Sequence, residues 1–458
     1  MGKANILVVP IWFTDSTNYI KEANKDNVKE DIHTAYFGTN EETGWRSVKT
    51  YYEQESHGTL TLNGTVSDWY ECQKASTYYA DDVTTDKTIA LVKEVANWYF
   101  KNNPTASRLD YDQNVDGFLD GIMLIYGAPD YVALNKIYDD KYDNLWAYCY
   151  WVQEVQEQSM SKPGANAFFW ASYDFMYNRS KSASRTGVSK AYNSGDTSHC
   201  NIDSHTYIHE MGHMFGLTDY YDYSGQYNPA GAFSMQDSNV GGHDPYSSFA
   251  LGWGKAYVIE ETTTINLKPF SETGEMILLS PSYNEYNSPF DEYLLLEFYT
   301  PTGLNEFDST YTYLGSYPKG PQDMGIRLWH VDSRLYYEKG NSFEFTTNPK
   351  DETHPVEEAF TNTYPSNDEG DSYLSPLGEE YYNYDVLHLI RNNTTATYKA
   401  TNDFNTNSMF KAGSSFNMNT YKKQFPNSGK LDQNIDLGFS FTVNSVTQEY
   451  ASITVTKL

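Results

Sequence analysis

Residues 203–222, DSHTYIHEMGHMFGLTDYYD, constrain this chain more than any other stretch. They contain the pattern HExxH, formed by His209, Glu210 and His213. On a helix the two histidines project from one face, and two imidazoles with a third protein ligand leave one position of a zinc ion open for water. The carboxylate of Glu210 can take the proton of that water. The segment therefore predicts a short helix with hydrolytic zinc chemistry.

Gly216 and Asp219 extend the pattern to HExxHxxGxxD. Asp203 or Ser204 can cap the start of the helix, and Gly216 can adopt the left-handed conformation that ends it. This spacing is the one at which metzincin-type peptidases return their third ligand, usually histidine, to the metal. Because a carboxylate oxygen is also an accepted zinc ligand, we expect Asp219 there, with Asp222 as the alternative. A histidine pair that is merely packed or solvated would not need these additions.

Two residues further along the chain could complete the site. Met235 lies where metzincins place a methionine turn as an apolar floor beneath the metal. His243 follows two glycines and precedes a helix predicted from Tyr246, so it could assist catalysis as an oxyanion stabiliser or even serve as the third ligand. The alternative is a helix-capping or surface histidine. Three phenols are weaker candidates for the stabilising role: Tyr220, Tyr221 and Tyr246.

A second oxygen-rich pattern is DYDQNVDGFLDG at residues 110–121. Four residues fall at positions one, three, five and nine of a calcium loop, with glycine at position six; they are Asp112, Asn114, Asp116 and Asp120. Position twelve is Met123 instead of glutamate, and the run IMLIY that begins at Ile122 predicts a strand instead of an exiting helix. We predict a Ca²⁺ site that leads into a strand. The alternative is an acidic turn without an ion.

Charge and cysteine content exclude several classes of protein. With 32 basic and 61 acidic residues the net charge is −29, which disfavours nucleic acids and anionic membranes as partners. No stretch approaches the roughly 20 apolar residues that span a bilayer. Cys72, Cys149 and Cys200 form no CxxC pattern, so neither a disulfide framework nor a cysteine zinc site is indicated, and at most one bridge could form.

The first residues, MGKANILVVP, begin a strand without the pattern of a signal peptide. The chain is therefore either cytosolic or a secreted protein from which a signal and pro-segment have been removed. We favour the second interpretation, and we expect a monomer.

A length of 458 residues predicts two domains. Residues 5–13 form a continuous apolar run, which is typical of a buried central strand. Helical patterns follow at about 20–37, 47–54 and 85–101, and the alternation TLTLNGTV from Thr59 predicts a strand with a turn at Asn63 and Gly64. Residues 131–200 are interpreted as an insertion, in which 167–173 would form an edge strand.

Beyond residue 260 the sequence changes to short alternating runs typical of strands. These runs are TTTINL, EMILLS, EYLLLEFY, GIRLWHVD, DVLHLI, FSFTV and ASITVTKL. We predict an α+β protein in which a metzincin-like zinc-peptidase catalytic domain, residues 1–260, precedes a β-sandwich or jelly-roll-like domain, residues 261–458. His330 and His388 lie inside predicted strands and are interpreted as core or sheet-face residues.

Several motifs together resemble the immune inhibitor A-like family of secreted bacterial zinc metallopeptidases. They are NILVVPIWFTDS, SVKTYYEQESHGTLTLNGTVSDWY, DQNVDGFLDGIMLIYGAPD, HEMGHMFGLTDYYDY and ALGW. The resemblance implies that His209 and His213 bind zinc, that Glu210 is the base, and that the loop from Asp112 binds calcium and stabilises the fold. Around Met235 the chain reads SMQDSNVGGHDP where better-known members carry a tryptophan- or aspartate-containing version, so no third ligand can be matched there.

We therefore expect a secreted zinc-dependent endopeptidase that hydrolyses peptide bonds in proteins, with Glu210 as general base and His243 assisting. One alternative is a peptidase restricted to glycoproteins. Another is a catalytically weak secreted binding or adhesive module that keeps the zinc fold, although the intact Glu210 argues against it.

Overall fold

A computed structural model describes residues 2–458 apart from 81, 83, 132–143, 153–157, 179–199, 224, 226, 314–316, 341, 352, 359, 363–383 and 400–403. Its contacts divide the chain into two compact units, the first comprising Met1–Gln54 and Gly58–Gly216, the second Glu55–His57 and Leu217–Leu458. This division comes earlier than residue 260 because the segment after Gly216 pairs with later residues; Leu389 N–H, for example, donates to Pro229 O at 2.8 Å. The prediction that the catalytic domain ends near residue 260 stays a prediction.

The first unit is built on a sheet with the strand order β2-β1-β4-β6-β5. The strands are β1 (Gly2–Trp12), β2 (Leu60–Val66), β3 (Tyr70–Glu71), β4 (Ile122–Tyr126), β5 (Tyr148–Trp151) and β6 (Ala167–Ser172). β1 pairs in parallel with β2, β3 and β4, β6 is parallel to β4, and β5 is antiparallel to β6. Helices that cover both faces bury such a sheet, which explains the continuous apolar run of β1. The predicted buried central strand is confirmed.

Six α-helices accompany this sheet among the described residues. They are α1 (Lys25–Phe37), α2 (Asn40–Thr43), α3 (Val48–Glu55), α4 (Thr77–Ala80), α5 (Asp86–Asn102) and α6 (His205–Met214). Val95 of α5 belongs to the core cluster on one face of the sheet, together with Leu7, whereas Tyr207 of α6 packs against Phe169 with ring centroids 5.7 Å apart. The three predicted helices are confirmed, although α1 starts at Lys25 because two short 3-10 helices precede it.

The predicted turn at Asn63 and Gly64 is wrong. Both residues lie inside β2, and Gly64 is paired in parallel register with Ile6. A Cβ atom on Gly64 would lie 2.3 Å from the carbonyl oxygen of Ile6 and 2.5 Å from Cζ of Phe37. Glycine is therefore required here by the close approach of a neighbouring strand and of α1, since a glycine inside a strand can mark such contact as well as a turn.

The predicted edge strand at residues 167–173 is also placed differently. β6 lies between β4 and β5, and its side chains are buried from Phe168 onward. The edge position belongs to β5, whose side chains are half-buried or exposed. Both strands fall within the predicted insertion, so this part of residues 131–200 extends the central sheet. Residues 132–143, 153–157 and 179–199 of the predicted insertion lie outside the described part of the chain.

The described residues of the second unit form three sheets, with strand orders β15-β11-β10-β9-β7, β13-β12-β14 and β16-β17-β18-β8. The strands are β7 (Lys255–Val258), β8 (Thr263–Leu267), β9 (Glu275–Leu279), β10 (Glu292–Tyr299), β11 (Gly325–Asp332), β12 (Leu335–Lys339), β13 (Ser342–Thr346), β14 (Glu357–Glu358), β15 (Leu387–Ile390), β16 (Ser415–Asn417), β17 (Phe439–Val446) and β18 (Ala451–Lys457). Its α-helices are α7 (Pro245–Ala250), α8 (Phe270–Thr273) and α9 (Asn305–Thr310).

Each of the seven runs predicted as strands contains a strand. One hydrophobic cluster takes Leu294 and Leu328 from the five-stranded sheet and Phe441 and Ile453 from the four-stranded sheet. The two sheets therefore share a core, and a β-sandwich or jelly-roll-like arrangement stays a prediction. Among the described residues, the three cysteines form no disulfide and no helix is long and apolar enough to cross a membrane.

Candidate metal centre

Local sequence explains where α6 begins and ends. The carboxylate of Asp203 accepts the backbone N–H of His205 at 3.1 Å, and Ser204 is the residue that precedes the first helical turn. An oxygen at this place satisfies a donor that the helix itself leaves unpaired. Gly216 has φ of +94° and donates its N–H to His213 O at 2.8 Å. The predicted limits of this helix are confirmed.

Three tyrosines hold α6 in place. The hydroxyl of Tyr52 donates to Ile208 O at 2.6 Å, and that of Tyr207 donates to Ser172 O at 2.8 Å at the end of β6. The ring of Tyr207 also stacks on Tyr36 with centroids 5.4 Å apart. These buried contacts are made by Tyr207 and Ile208 of the helix. His209 and His213 remain half-buried, so their rings are more accessible than the anchoring side.

His209, His213 and Asp219 form a group that could hold a metal ion. The imidazole rings have centroids 4.9 Å apart, and one ligand atom from each of the three residues lies within 4.8 Å of the other two. Ligand atoms about 2.1 Å from a single zinc ion are at most about 4.2 Å apart, so small side-chain adjustments suffice. Two imidazoles and a carboxylate are also a donor set that zinc accepts. The group therefore fits the expected ion.

The carboxylate of Asp219 is buried and accepts a hydrogen bond from a residue of its own loop. Tyr223 donates its hydroxyl to Oδ2 of Asp219 at 2.6 Å, and the neighbouring Tyr220 N–H donates to Gln236 O at 2.8 Å. Asp237 also lies near: burial and, to a smaller extent, the charge of Asp219 raise its pKa to about 7. The charge of Asp219 therefore acts on a second buried carboxylate, and such like charges favour a cation beside them.

Asp222, the alternative third ligand, is not a member of this group. Its charge acts instead on Tyr227 and Asp385, whose pKa values are raised mainly by burial and in part by Asp222. The carboxylate therefore lies close to Tyr227 and to Asp385, which is two residues before β15. The arrangement favours Asp219 over Asp222 as the third ligand.

Glu210 is buried on α6, one residue after the first histidine. Burial raises the pKa values of Tyr36 and Cys149, and the charge of Glu210 raises both further. A tyrosine of α1 and a cysteine of β5 thus lie close to the candidate base. Nothing in the sequence indicated these neighbours, because the chain has 42 tyrosines and the cysteine forms no motif.

His243 is buried and is not among the ligand groups found in the described residues. The helix predicted after it is confirmed as α7, with Asp244 accepting Ser247 N–H at 2.9 Å as its cap. Burial raises the pKa of Glu55 to about 8, even though hydrogen bonds from the Ser248 hydroxyl and the His243 backbone oppose this rise. Hydrogen bonds thus fix the backbone of this turn, and the catalytic role of His243 stays a prediction.

The other residues proposed around the metal are also buried or packed. The hydroxyl of Tyr220 accepts from Ser247 at 3.0 Å, and that of Tyr246 donates to Glu358 at 3.1 Å. Tyr221 is half-buried beside Tyr223. Met235 is fully buried. The bonds of Tyr220 and Tyr246 leave these two phenols committed to the interior of the second unit, which makes them poor candidates for oxyanion stabilisation.

The predicted calcium loop is closed by its own side chains. Asp112 accepts the N–H groups of Asp116 and Gly117 at 3.0 and 3.1 Å, while Asp120 accepts those of Asn5 and Gln113 at 2.8 and 2.9 Å. Gly117 has φ of +86°, and the following IMLIY is strand β4, as predicted. Asn114 donates to Asp116 at 2.8 Å. The three aspartates do not form a compact ligand group among the described residues, and Ca²⁺ stays a prediction.

Adding calcium to the calcium-free protein is expected to raise its melting temperature by several degrees, because an ion bound only by the native state stabilises it. The variant Asp120→Asn should lose this rise, whereas Asp110→Asn, an exposed neighbour, should keep it. Burial raises the pKa of Asp120 to about 6, so the effect should weaken as pH falls below that value. A melting temperature that does not respond to calcium at pH 7.5 would leave only an acidic turn.

Comparison with known proteins adds two matches. A model described as the immune inhibitor A peptidase M6 catalytic domain matches residues 3–148. Immune inhibitor A of Bacillus thuringiensis subsp. alesti is 25% identical over 248 residues, which are 48% of this chain and 33% of the relative. The chain thus spans a third of that relative. The family match includes the central strand and the acidic loop of residues 110–121 and ends before α6. Both matches support an immune inhibitor A-like peptidase family for this chain, as predicted from its sequence, and such a family implies a metal ion.

Proposed function

We propose that the chain is a secreted zinc endopeptidase that hydrolyses peptide bonds in proteins. The observation that carries this proposal is the group of His209, His213 and Asp219, with Glu210 inside the same HExxH turn of α6. The family match, which implies a metallopeptidase and a protein substrate, supports it. We also propose that the peptidase domain extends to about residue 260, since Asp219 follows the end of the first compact unit.

His209 and His213 would hold zinc through their imidazole nitrogens, and Asp219 through a carboxylate oxygen. When bound, the ion supplies Lewis acidity toward water and toward the scissile carbonyl. Tyr223 keeps the Asp219 carboxylate oriented by donating to its second oxygen. A ligand fixed by a hydrogen bond in this way needs little reorganisation when the metal binds.

Glu210 acts as general base and then as general acid. Its carboxylate takes a proton from the attacking water and delivers it to the leaving amine, so no covalent acyl-enzyme forms. Its burial beside Tyr36 and Cys149, both of which burial keeps protonated at neutral pH, excludes bulk water from one side of the carboxylate. An assisting role for His243 toward the oxyanion is part of the proposal.

Replacing Asp219 by asparagine is expected to weaken zinc affinity by about 100-fold or more, because a charged ligand becomes a neutral one. The matched variant Asp222→Asn should change affinity by less than about three-fold, since Asp222 lies with Tyr227 and Asp385. Competition with a chromogenic zinc chelator measures both. If Asp222→Asn weakened zinc affinity more than Asp219→Asn did, Asp222 would be the third ligand.

Substrate assays separate this function from its alternatives. The purified full chain with zinc should cleave casein and an unglycosylated fluorogenic peptide. Cleavage of mucin-type glycoproteins alone would indicate the glycoprotein-restricted peptidase, and zinc binding without cleavage of either substrate would indicate a binding module.

A further inference from the structure

A second group of potential metal ligands lies inside the second unit, apart from α6. Glu292 is the first residue of β10, His330 lies on β11, and Asp432 lies in the loop that precedes β17. All three are buried, and one ligand atom from each lies within 4.8 Å of the other two. The group thus joins two strands of the five-stranded sheet to a distant loop.

The sheet and the loop hold Glu292 and His330 in position. Leu294 is paired with His330 across β10 and β11, so Glu292, two residues before Leu294, projects from the same face. Oε1 of Glu292 lies 2.9 Å from Nε2 of His330, and Oε2 accepts the N–H of Gln433 at 3.0 Å. Oε1 also accepts the N–H of Asp432. Two atoms each about 2.1 Å from one ion can be 2.9 Å apart.

The carboxylate of Asp432 lacks the hydrogen bonds that a buried carboxylate requires. Asp432 is only 7% exposed, and both of its side-chain oxygens are buried without a hydrogen-bond partner. Arg334 is the nearby cation, but its guanidinium donates two hydrogen bonds to Asp332, at 2.8 and 2.6 Å. A buried carboxylate in this state is costly unless it is neutralised.

The surrounding charges make the imbalance larger. Buried ionisable groups whose charges act on one another here include the carboxylates of Asp222, Asp291, Glu292, Asp332, Asp385 and Asp432 and the side chains of Arg334 and His330. Negative groups are in excess whether or not the histidine is protonated. Either a proton or a bound cation must compensate this excess.

We infer that Glu292, His330 and Asp432 form a second metal site, which takes a divalent transition ion of the zinc class. The imidazole distinguishes between ions, because calcium and magnesium prefer all-oxygen ligands whereas zinc, cobalt and similar ions accept nitrogen and carboxylate oxygen together. A dipositive ion would compensate the excess negative charge and give the Asp432 oxygens a partner. The inference goes beyond the proposed hydrolysis and does not depend on it.

The site has a structural role. All three ligands are buried, so the fourth coordination position of the ion would be closed to a substrate, unlike the open position of a catalytic zinc site. It would connect the loop that contains Asp432 to β10 and β11, where Phe425 packs on the ring of His330 with centroids 5.5 Å apart. Loss of the ion should therefore loosen this loop and lower the stability of the unit.

Metal content measured in the full chain with the catalytic ligands removed tests the inference. The variant His209→Ala/His213→Ala, supplied with zinc and desalted, should retain about one ion per chain by mass spectrometry. Adding Asp432→Asn should reduce this content at least about five-fold. Adding Asp436→Asn, an exposed residue of the same loop, should leave it unchanged. No retained zinc in the double variant, or equal retention after Asp432→Asn, would overturn the inference.

Cobalt provides a second readout, whose first step leaves Glu292, His330 and Asp432 unchanged. Co²⁺ added to the double variant should give visible absorption typical of nitrogen and oxygen ligands, and zinc should raise its melting temperature. His330→Gln, if folded, should abolish both responses. A double variant that stays colourless and melts at the same temperature with and without metal would show that Asp432 is compensated by a proton.

Discussion

The variant Glu210→Gln is expected to lose peptidase activity by about three to four orders of magnitude in kcat/KM, because glutamine cannot accept the proton of the attacking water. Glutamine has nearly the same shape as glutamate, so the fold and the metal should remain. Hydrolysis of a fluorogenic peptide, measured beside metal content by mass spectrometry, checks both parts of this expectation.

An exposed glutamate of α1 offers the matched control. Glu30→Gln removes the same charge within the same compact unit and should keep wild-type activity. If Glu210→Gln retained more than about a tenth of the wild-type kcat/KM, Glu210 could not be the general base. If its zinc content fell as well, the carboxylate would have to contribute to holding the ion.

The variants His209→Ala and His213→Ala are expected to lose the ion of the α6 site, and with it all measurable proteolysis, while the site of Glu292, His330 and Asp432 is untouched. Each removes one of the three donors in the group, and a zinc ion held by two protein ligands binds far more weakly. Zinc affinity should fall by at least about 1,000-fold in each, which competition with a chelator can measure.

His33→Ala supplies the comparison, because His33 is exposed on α1 and should affect neither zinc nor activity. The pattern separates the two mechanisms of inactivation: Glu210→Gln keeps the ion and loses turnover, whereas the histidine variants lose both. A histidine variant that binds as many zinc ions per chain as the wild type would show that its imidazole is not a ligand.

The part of the candidate site that the sequence predicts is the part made by near neighbours. His209, Glu210 and His213 are fixed by helical spacing, and Asp203 and Gly216 limit the helix through bonds to residues close in the chain. Local rules of helix geometry and capping are sufficient for such features. Asp219 follows within a few residues, which is why it could be predicted as a member of the group.

Features that depend on distant residues could not be predicted in this way. Cys149 lies near Glu210 only because β5 pairs with β6 at the edge of the sheet. The periodicity of a sequence does not predict which strand lies at the edge. In the sequence Gly64 is typical of a turn, yet glycine is required there because a carbonyl oxygen of another strand leaves no room for a side chain. Asp432 carries no spacing relation to Glu292 or His330. A single sequence shows which residue types are present, but it does not show which distant residues lie close together in the fold.

The pairing of β18 with β8 has a consequence for the order of folding. Thr264 and Thr454, which share a hydrogen bond across these strands, are 190 residues apart in the chain. β18 lies between β17 and β8 in its sheet, so β8 has no described neighbour in that sheet until residues 451–457 have been synthesised. A contact order this high slows folding, because a long loop must close before the pairing stabilises anything. The second unit should therefore complete its fold only after synthesis of β18, and until then β8 would present an unprotected edge to other chains.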